Sequence, residues 1–352
     1  MARRLRYIPP GGALVEITCR TIQGRMLLRP SAGMNDIIRG VLARAARLAG
    51  VAVHAPVFLS NHYHLLVSVA DSQQLARFMN YLNSNLAREA GRLVRWREKF
   101  RGRRFQAVIV SDEEAAQVGR LVYILAQGVK EGLVASPFDW PGVHCAQALT
   151  EGTAISGSWH DRTLEFRARR KGLALDPAAF VEQEALELTP LPCWKTLSPE
   201  EYRARVLQLI EAIEADARLQ QEESGKAPLG AAAVCRQDPH HEPNRMKKGP
   251  APLVHAVAPA VVAASARPTS PFARPIATPR TDSGRARRIS SSRSEPFPRG
   301  FRFDWLREPA SGLESSSTTR RLFRIDAVGA AESSRTQGDS DLEARGPGAQ
   351  QR

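Results

Sequence analysis

The chain has 352 residues, and its 50 Lys and Arg against 36 Asp and Glu give a formal net charge of +14 and a pI of about 10.3. An apolar content of 43% excludes a wholly disordered chain, and the lack of any apolar run of about 18 residues excludes a transmembrane helix. Four cysteines (Cys19, Cys145, Cys193, Cys235), no two closer than 42 residues, argue against a zinc ribbon or a disulfide framework and for a reducing, cytoplasmic location. The basic start, residues 1–12, lacks the apolar stretch of a secretory signal, so none is expected. Residues 1–150 hold 20 basic against 10 acidic side chains, many of them in residues 88–104, and so basic a chain points to nucleic acid as partner.

Residues 13–21 alternate, with Ala13, Val15, Ile17 and Cys19 on one face and Glu16, Thr18 and Arg20 on the other, which predicts a half-buried strand. Residues 34–49 carry Ile38, Val41, Leu42 and Ala45 at helical spacing. Residues 51–59 read as a strand with Pro56 marking an edge or bulge, and 62–69 as another strand after the turn Ser60-Asn61. A helical stripe over 72–90 (Leu75, Phe78, Met79, Leu82, Leu86) precedes a basic loop, 91–103, and a strand, 104–110. Ser111-Asp112-Glu113-Glu114 has the form of a capping box and predicts a helix to about residue 131. The order β-α-β-β-α-β followed by a helix matches a ferredoxin-like split β-α-β fold of the α+β class, an antiparallel sheet with helices on one face.

Three regions are expected: a domain over 12–150, a mainly helical accessory region over 151–250, and a tail over 251–352. The aromatics Phe138, Trp140, Trp159, Phe166, Phe180 and Trp194 suggest that 136–200 packs on the first domain. Ser198-Pro199-Glu200-Glu201 is a helix-start signature for 198–223. Residues 251–352 hold 16 Ala, 16 Arg, 14 Ser and 10 Pro but no Lys, without periodicity, and read as disordered. An arginine-rich nucleic-acid-binding tail and an out-of-frame tail are the other readings.

Two segments could carry chemistry. His62 and His64, two apart on a strand, project to one face, with Tyr63 on the other. They are either half of a metal site or a pair of hydrogen-bonded histidines. Tyr123 and Gln127 are one helical turn apart, off the stripe of Val118, Leu121, Val122 and Leu125, with Arg120 and Lys130 beside them. That face could meet a phosphate, or Tyr123 is simply an exposed amphipathic ring. His54 and Tyr81 read as structural, and Asp238-Pro239-His240-His241-Glu242 as a polar loop.

The runs Ser60-Asn61-His62-Tyr63-His64-Leu65-Leu66-Val67, Arg101-Gly102-Arg103-Arg104-Phe105 and Tyr123-Ile124-Leu125-Ala126-Gln127-Gly128-Val129-Lys130 together resemble the single-tyrosine HUH transposases, the insertion-sequence-200-like group. The likeness is strongest to the REP-associated tyrosine transposases, spans about residues 12–145, and implies the same split β-α-β fold. It implies His62, His64 and Gln127 as ligands of a divalent metal, Mg²⁺ or Mn²⁺, and Tyr123 as nucleophile. It implies cutting and rejoining of single-stranded DNA, hairpin or palindromic, through a 5′-phosphotyrosine. Arg95, Arg97, Lys99, Arg101, Arg103, Arg104, Arg120 and Lys130 are the expected DNA contacts. A soluble monomer or homodimer, associated with the nucleoid when bound to DNA, is the implied form. Two departures stand out: Gln127-Gly128 replaces the Asn-Pro of many relatives, and Tyr63 occupies a position that is usually aliphatic. The rival readings are a catalytically silent DNA-binding descendant and a hydrolase that uses the His pair without a covalent step.

Overall fold

A computed structural model describes residues 6–173, 176–243 and 254–255, the last pair by backbone alone. Four strands, β1 (Ala13–Arg20), β2 (Ala52–Phe58), β3 (His62–Val69) and β4 (Gln106–Val110), pair antiparallel in the order β2-β3-β1-β4. This is the split β-α-β order, with β1 between β3 and β4. A two-residue strand at Val254–His255 adds to β4 in parallel; the rest of the expected tail lies outside the described residues. As Pro56 suggests, β2 is an edge strand, and its register shifts between Val53 and Ala55.

The helices α1 (Ala32–Ala49) and α2 (Ser72–Leu93) cover one sheet face. Val15, Ile17 and Cys19 of β1 and Tyr63, Leu65 and Val67 of β3 point toward them and join one apolar cluster with Met34, Ile38, Leu42, Phe78 and Leu82. Ser31 caps α1 by accepting from Met34 N, and Gly50 ends it in the left-handed conformation, φ 65°. The opposite sheet face carries Leu14, Ala55, Val57 and Leu66, and a second cluster forms there with α3 (Glu114–Leu125). Behind α3 lie the short α4 (Ala146–Glu151) and the long helix Pro199–Ser224. The latter begins, as its sequence signature predicts, with a capping box between Ser198 and Glu201. The sheet is thus buried on both faces.

The accessory region also contains strands that its sequence does not announce. β5 (Ile155–His160) and β6 (Val181–Leu186) pair antiparallel and pack on α1, with α5 (Arg162–Arg170) between them. Gly157 faces Gly40 of α1 so closely that a Cβ on Gly40 would lie 2.1 Å from the Ser158 carbonyl oxygen. Glu184, buried, accepts from both Arg44 (2.7 Å) and Arg47 (2.6 Å), and these guanidinium groups hold its carboxyl below the usual range. With only six residues, and Gly157 on the buried face, β5 has little hydrophobic alternation to read.

The segment 237–242 straps back over the first domain. His240 Nε2 lies 2.7 Å from the Val94 carbonyl, Glu242 pairs with Arg25 at 2.9 Å, and Gln237 Oε1 accepts from Ser60 at 2.6 Å. His240 thus serves as a loop contact, in line with the polar-loop reading of 238–242. No described helix is long and apolar enough to cross a membrane.

Two buried imidazoles make the fold acid-sensitive. His54 bridges the Thr189 carbonyl (2.9 Å) and Ser68 Oγ (2.7 Å), a structural role, and burial lowers its pKa. Burial pushes His144, just ahead of α4, down to about 4 from an ordinary 6.5. Both rings stay neutral in the fold where the unfolded chain would protonate them. Their contribution is therefore complete above about pH 6.5 and is lost as pH falls toward about 4. The melting temperature is expected to decline steadily over that window; a flat profile would contradict the assignment.

Candidate functional site

β3 is strictly alternating, so His62 and His64 share the sheet face opposite Tyr63, the face on which α3 packs. Their ring centroids lie 5.2 Å apart. His62 Nδ1 is 2.6 Å from Asn61 Oδ1, and His64 Nδ1 is 3.0 Å from Thr18 Oγ1 and 3.2 Å from Glu16 Oε1. Both Nδ1 atoms thus have partners of their own, and an Nδ1–H donated to a carboxylate or amide oxygen leaves the Nε2 lone pair available. Burial, with His64, Arg20 and Lys130 nearby, holds the pKa of His62 well below its ordinary value. Its ring is neutral at pH 7, the form that can ligate a metal.

Tyr123 enters from α3. The helix differs from its expected form at both ends. Ser111 donates to Glu113 Oε2 at 2.8 Å instead of capping the backbone, so the predicted capping box is absent and the helix starts at Glu114 with Glu113 as N-cap. It stops at Leu125, short of residue 131, because Gly128 takes φ +88°. Nor does α3 keep an open polar side: in 116–125 every residue except Tyr123 is buried, because α4 and the long helix cover it from behind. Tyr123 is half-buried, its ring 5.3 Å from that of His64, 4.9 Å from the Arg120 guanidinium and 3.5 Å from Lys130 Nζ.

Gln127 lies just past the helix end, where its Nε2 donates to the Tyr123 carbonyl at 3.0 Å. Its Oε1 is buried and has no hydrogen-bond partner. A buried amide oxygen without a partner is costly in a fold, and as a hard oxygen donor it suits a divalent cation. Among the described residues no three His, Cys, Asp or Glu side chains gather to hold a metal. The expected donors are two imidazoles and one amide oxygen, a set whose chemistry suits Mn²⁺ at least as well as Mg²⁺.

Gly128 also accounts for one departure from the resembling family. Proline is locked near φ −65° and cannot occupy this turn. A Cβ here would also meet the Trp140 ring at 3.0 Å. Gly128→Ala is expected to cost about 1–3 kcal/mol, read as a lowered urea midpoint; an unchanged midpoint would contradict the left-handed turn.

The basic residues divide into two groups. Arg95, Arg97, Lys99, Arg103 and Arg104 are exposed on the 94–105 segment. Arg101 and Arg120, expected to contact DNA, are turned inward. Arg101 donates to Cys19 Sγ at 3.2 Å and lies 5.3 Å from the Tyr63 ring, while Arg120 is 6% exposed and pairs with Glu16 at 3.4 Å. Each sets its guanidinium over an aromatic ring, Arg101 on Tyr63 and Arg120 on Tyr123. Lys130 remains half-buried above Tyr123. The competing phenols are elsewhere: Tyr63 is fully buried and donates to Asn83 Oδ1 at 2.7 Å, and Tyr81 packs 5.8 Å from Trp159. Sequence reading passes over Glu16, which looks like an ordinary outward residue of a half-buried strand; only the packing of α3 on that face buries it, to 5% exposure.

The fold is an α+β protein of the split β-α-β class, in which a His pair on β3 meets a tyrosine of α3 in ring contact, with the Gln127 amide one turn beyond that tyrosine. No family model and no curated protein matches the chain. Among solved structures it is similar to a REP-associated tyrosine transposase bound to a REP hairpin, at 18% identity, covering 40% of this chain and 81% of that one, TM-score 0.34. It is also similar to a protein assigned as a transposase from Deinococcus radiodurans R1, at 16% identity, covering 35% and 96%, TM-score 0.26.

Proposed function

We propose that the chain is a transposase-like single-strand DNA endonuclease that cuts and rejoins strands through Tyr123. The supporting observation is the convergence of His62, His64 and Tyr123 from β3 and α3 into one run of ring contacts, with the unpartnered Gln127 oxygen one turn on. His62, His64 and Gln127 would hold the divalent metal. When bound, such an ion offsets the charge that develops on the scissile phosphate oxygens.

Tyr123 provides the nucleophile. Its phenol gives up a proton to solvent, and its oxygen bonds to phosphorus. The bond to the 3′ oxygen breaks, and that oxygen takes up a proton to become a free 3′-hydroxyl. The product is a 5′-phosphotyrosine, which keeps the phosphoester available for rejoining without a nucleotide cofactor. Lys130 and Arg120 both lie against the Tyr123 ring and hold positive charge beside the proposed nucleophile, where it would face the scissile phosphate. Arg95, Arg97, Lys99, Arg103 and Arg104 are exposed cations suited to the phosphates of a hairpin stem. The proposed catalytic domain covers 12–150, with 151–250 as its accessory region.

The test is incubation of the full chain with a pool of single-stranded hairpins and Mn²⁺, followed by denaturing electrophoresis. The expected result is a covalent protein–DNA band. Cleavage without that band would make the protein a hydrolase, and binding without either would make it a silent DNA-binding protein.

A further inference from the structure

Glu16 is buried on β1 at the centre of the sheet, two residues from Thr18, the register partner of His64. A buried carboxylate persists only where charged or hydrogen-bonding partners surround it. Here Oε1 lies 3.2 Å from His64 Nδ1 and Oε2 lies 3.4 Å from the Arg120 guanidinium. Arg120 in turn lies 4.9 Å from the Tyr123 ring, which stands edge-on to His64 at 5.3 Å. The four side chains form a closed circuit, with the carboxylate touching both the expected ligand and the arginine that lies over the expected nucleophile.

We propose that Glu16 is a positioning residue that holds His64 in the Nδ1–H tautomer and, through Arg120, holds the Tyr123 ring in place, so that one buried carboxylate keeps ligand and nucleophile in register. An ionised carboxylate can only accept, so the His64 nitrogen facing it carries the proton and Nε2 keeps its lone pair. The same charge anchors Arg120, whose planar cation packs on the phenol ring. The inference rests on reading His64 as a ligand and Tyr123 as the nucleophile.

Glu16→Gln in the full chain tests it, because the substitution keeps shape and removes charge. Two measurements need no DNA: Mn²⁺ affinity by calorimetry, and the His64 tautomer by nitrogen NMR of the metal-free protein. Mn²⁺ binding is expected to weaken about 10- to 100-fold, and His64 to become a mixture of tautomers. Adduct formation should fall with it. Mn²⁺ affinity within twofold of the parent, with His64 still a single Nδ1–H tautomer, would overturn the proposal. If Glu16→Gln alone does not fold, the double variant Glu16→Gln/Arg120→Gln removes the unpaired cation. It should fold with the same loss of Mn²⁺ affinity, and full affinity there would equally overturn the proposal. A parent protein that binds no Mn²⁺ would remove the ligand reading itself, and this inference with it; that outcome is separate because it appears before any substitution.

Discussion

Tyr123→Phe is expected to abolish both strand cleavage and the covalent protein–DNA adduct, a loss of at least about a thousandfold, while hardly changing fold or DNA affinity. The substitution removes one oxygen and keeps the ring that packs against His64, Arg120 and Lys130. Because the ring is half-buried at the end of a helix otherwise buried over 116–125, its packing should survive and the melting temperature should stay within a few degrees. Peptide mapping of the trapped adduct is the decisive measurement. Attachment at Tyr63 or Tyr81 would overturn the assignment. Neither has the geometry for it, since Tyr63 is sealed against Phe58 on the other sheet face and Tyr81 packs on Trp159. Burial also raises the Tyr63 pKa well above the usual phenol value, which works against a phenolate there.

The second large effect is expected from the histidine pair. His62→Ala/His64→Ala should eliminate Mn²⁺ binding and cleavage together, yet leave hairpin affinity within a few-fold, because the proposed phosphate contacts are the exposed cations on 94–105 and not the His pair. The two single variants should differ in stability. His62 is half-buried and bonded chiefly to its neighbour Asn61, so its loss should cost under about 1 kcal/mol. His64 is 4% exposed, and its removal strips a partner from buried Glu16 and leaves a cavity beside Tyr123. A loss of about 2–3 kcal/mol is expected, read by urea unfolding. Cleavage that persists in the double variant, or in excess chelator, would rule out the metal assignment.

Much of the frame was legible in the residues because it depends on short-range periodicity. The alternation in β1 and β3 decided which side chains share a sheet face, and so placed His62 and His64 together and Tyr63 apart before any packing was known. The helical stripes of α1 and α2, the edge position signalled by Pro56 and the capping box at Ser198 are likewise local patterns that the fold keeps. What sequence left open were the long-range partners. One exception is local: Ser111 has a capping pattern, but its hydroxyl donates to the Glu113 carboxylate two residues on. Gly128 could have continued a helix or turned it; it takes φ +88° with Trp140 packed where a Cβ would stand, and the Gln127 oxygen just before it has no hydrogen-bond partner. Arg101 and Arg120 looked like part of one basic surface until aromatic rings and Glu16 drew them inward. Glu16 itself reads as a solvent-facing residue of a half-buried strand. Only the docking of α3 on that face, about a hundred residues later in the chain, turns it into the buried charge between His64 and Arg120, because burial is a property of what packs above a strand and not of the strand.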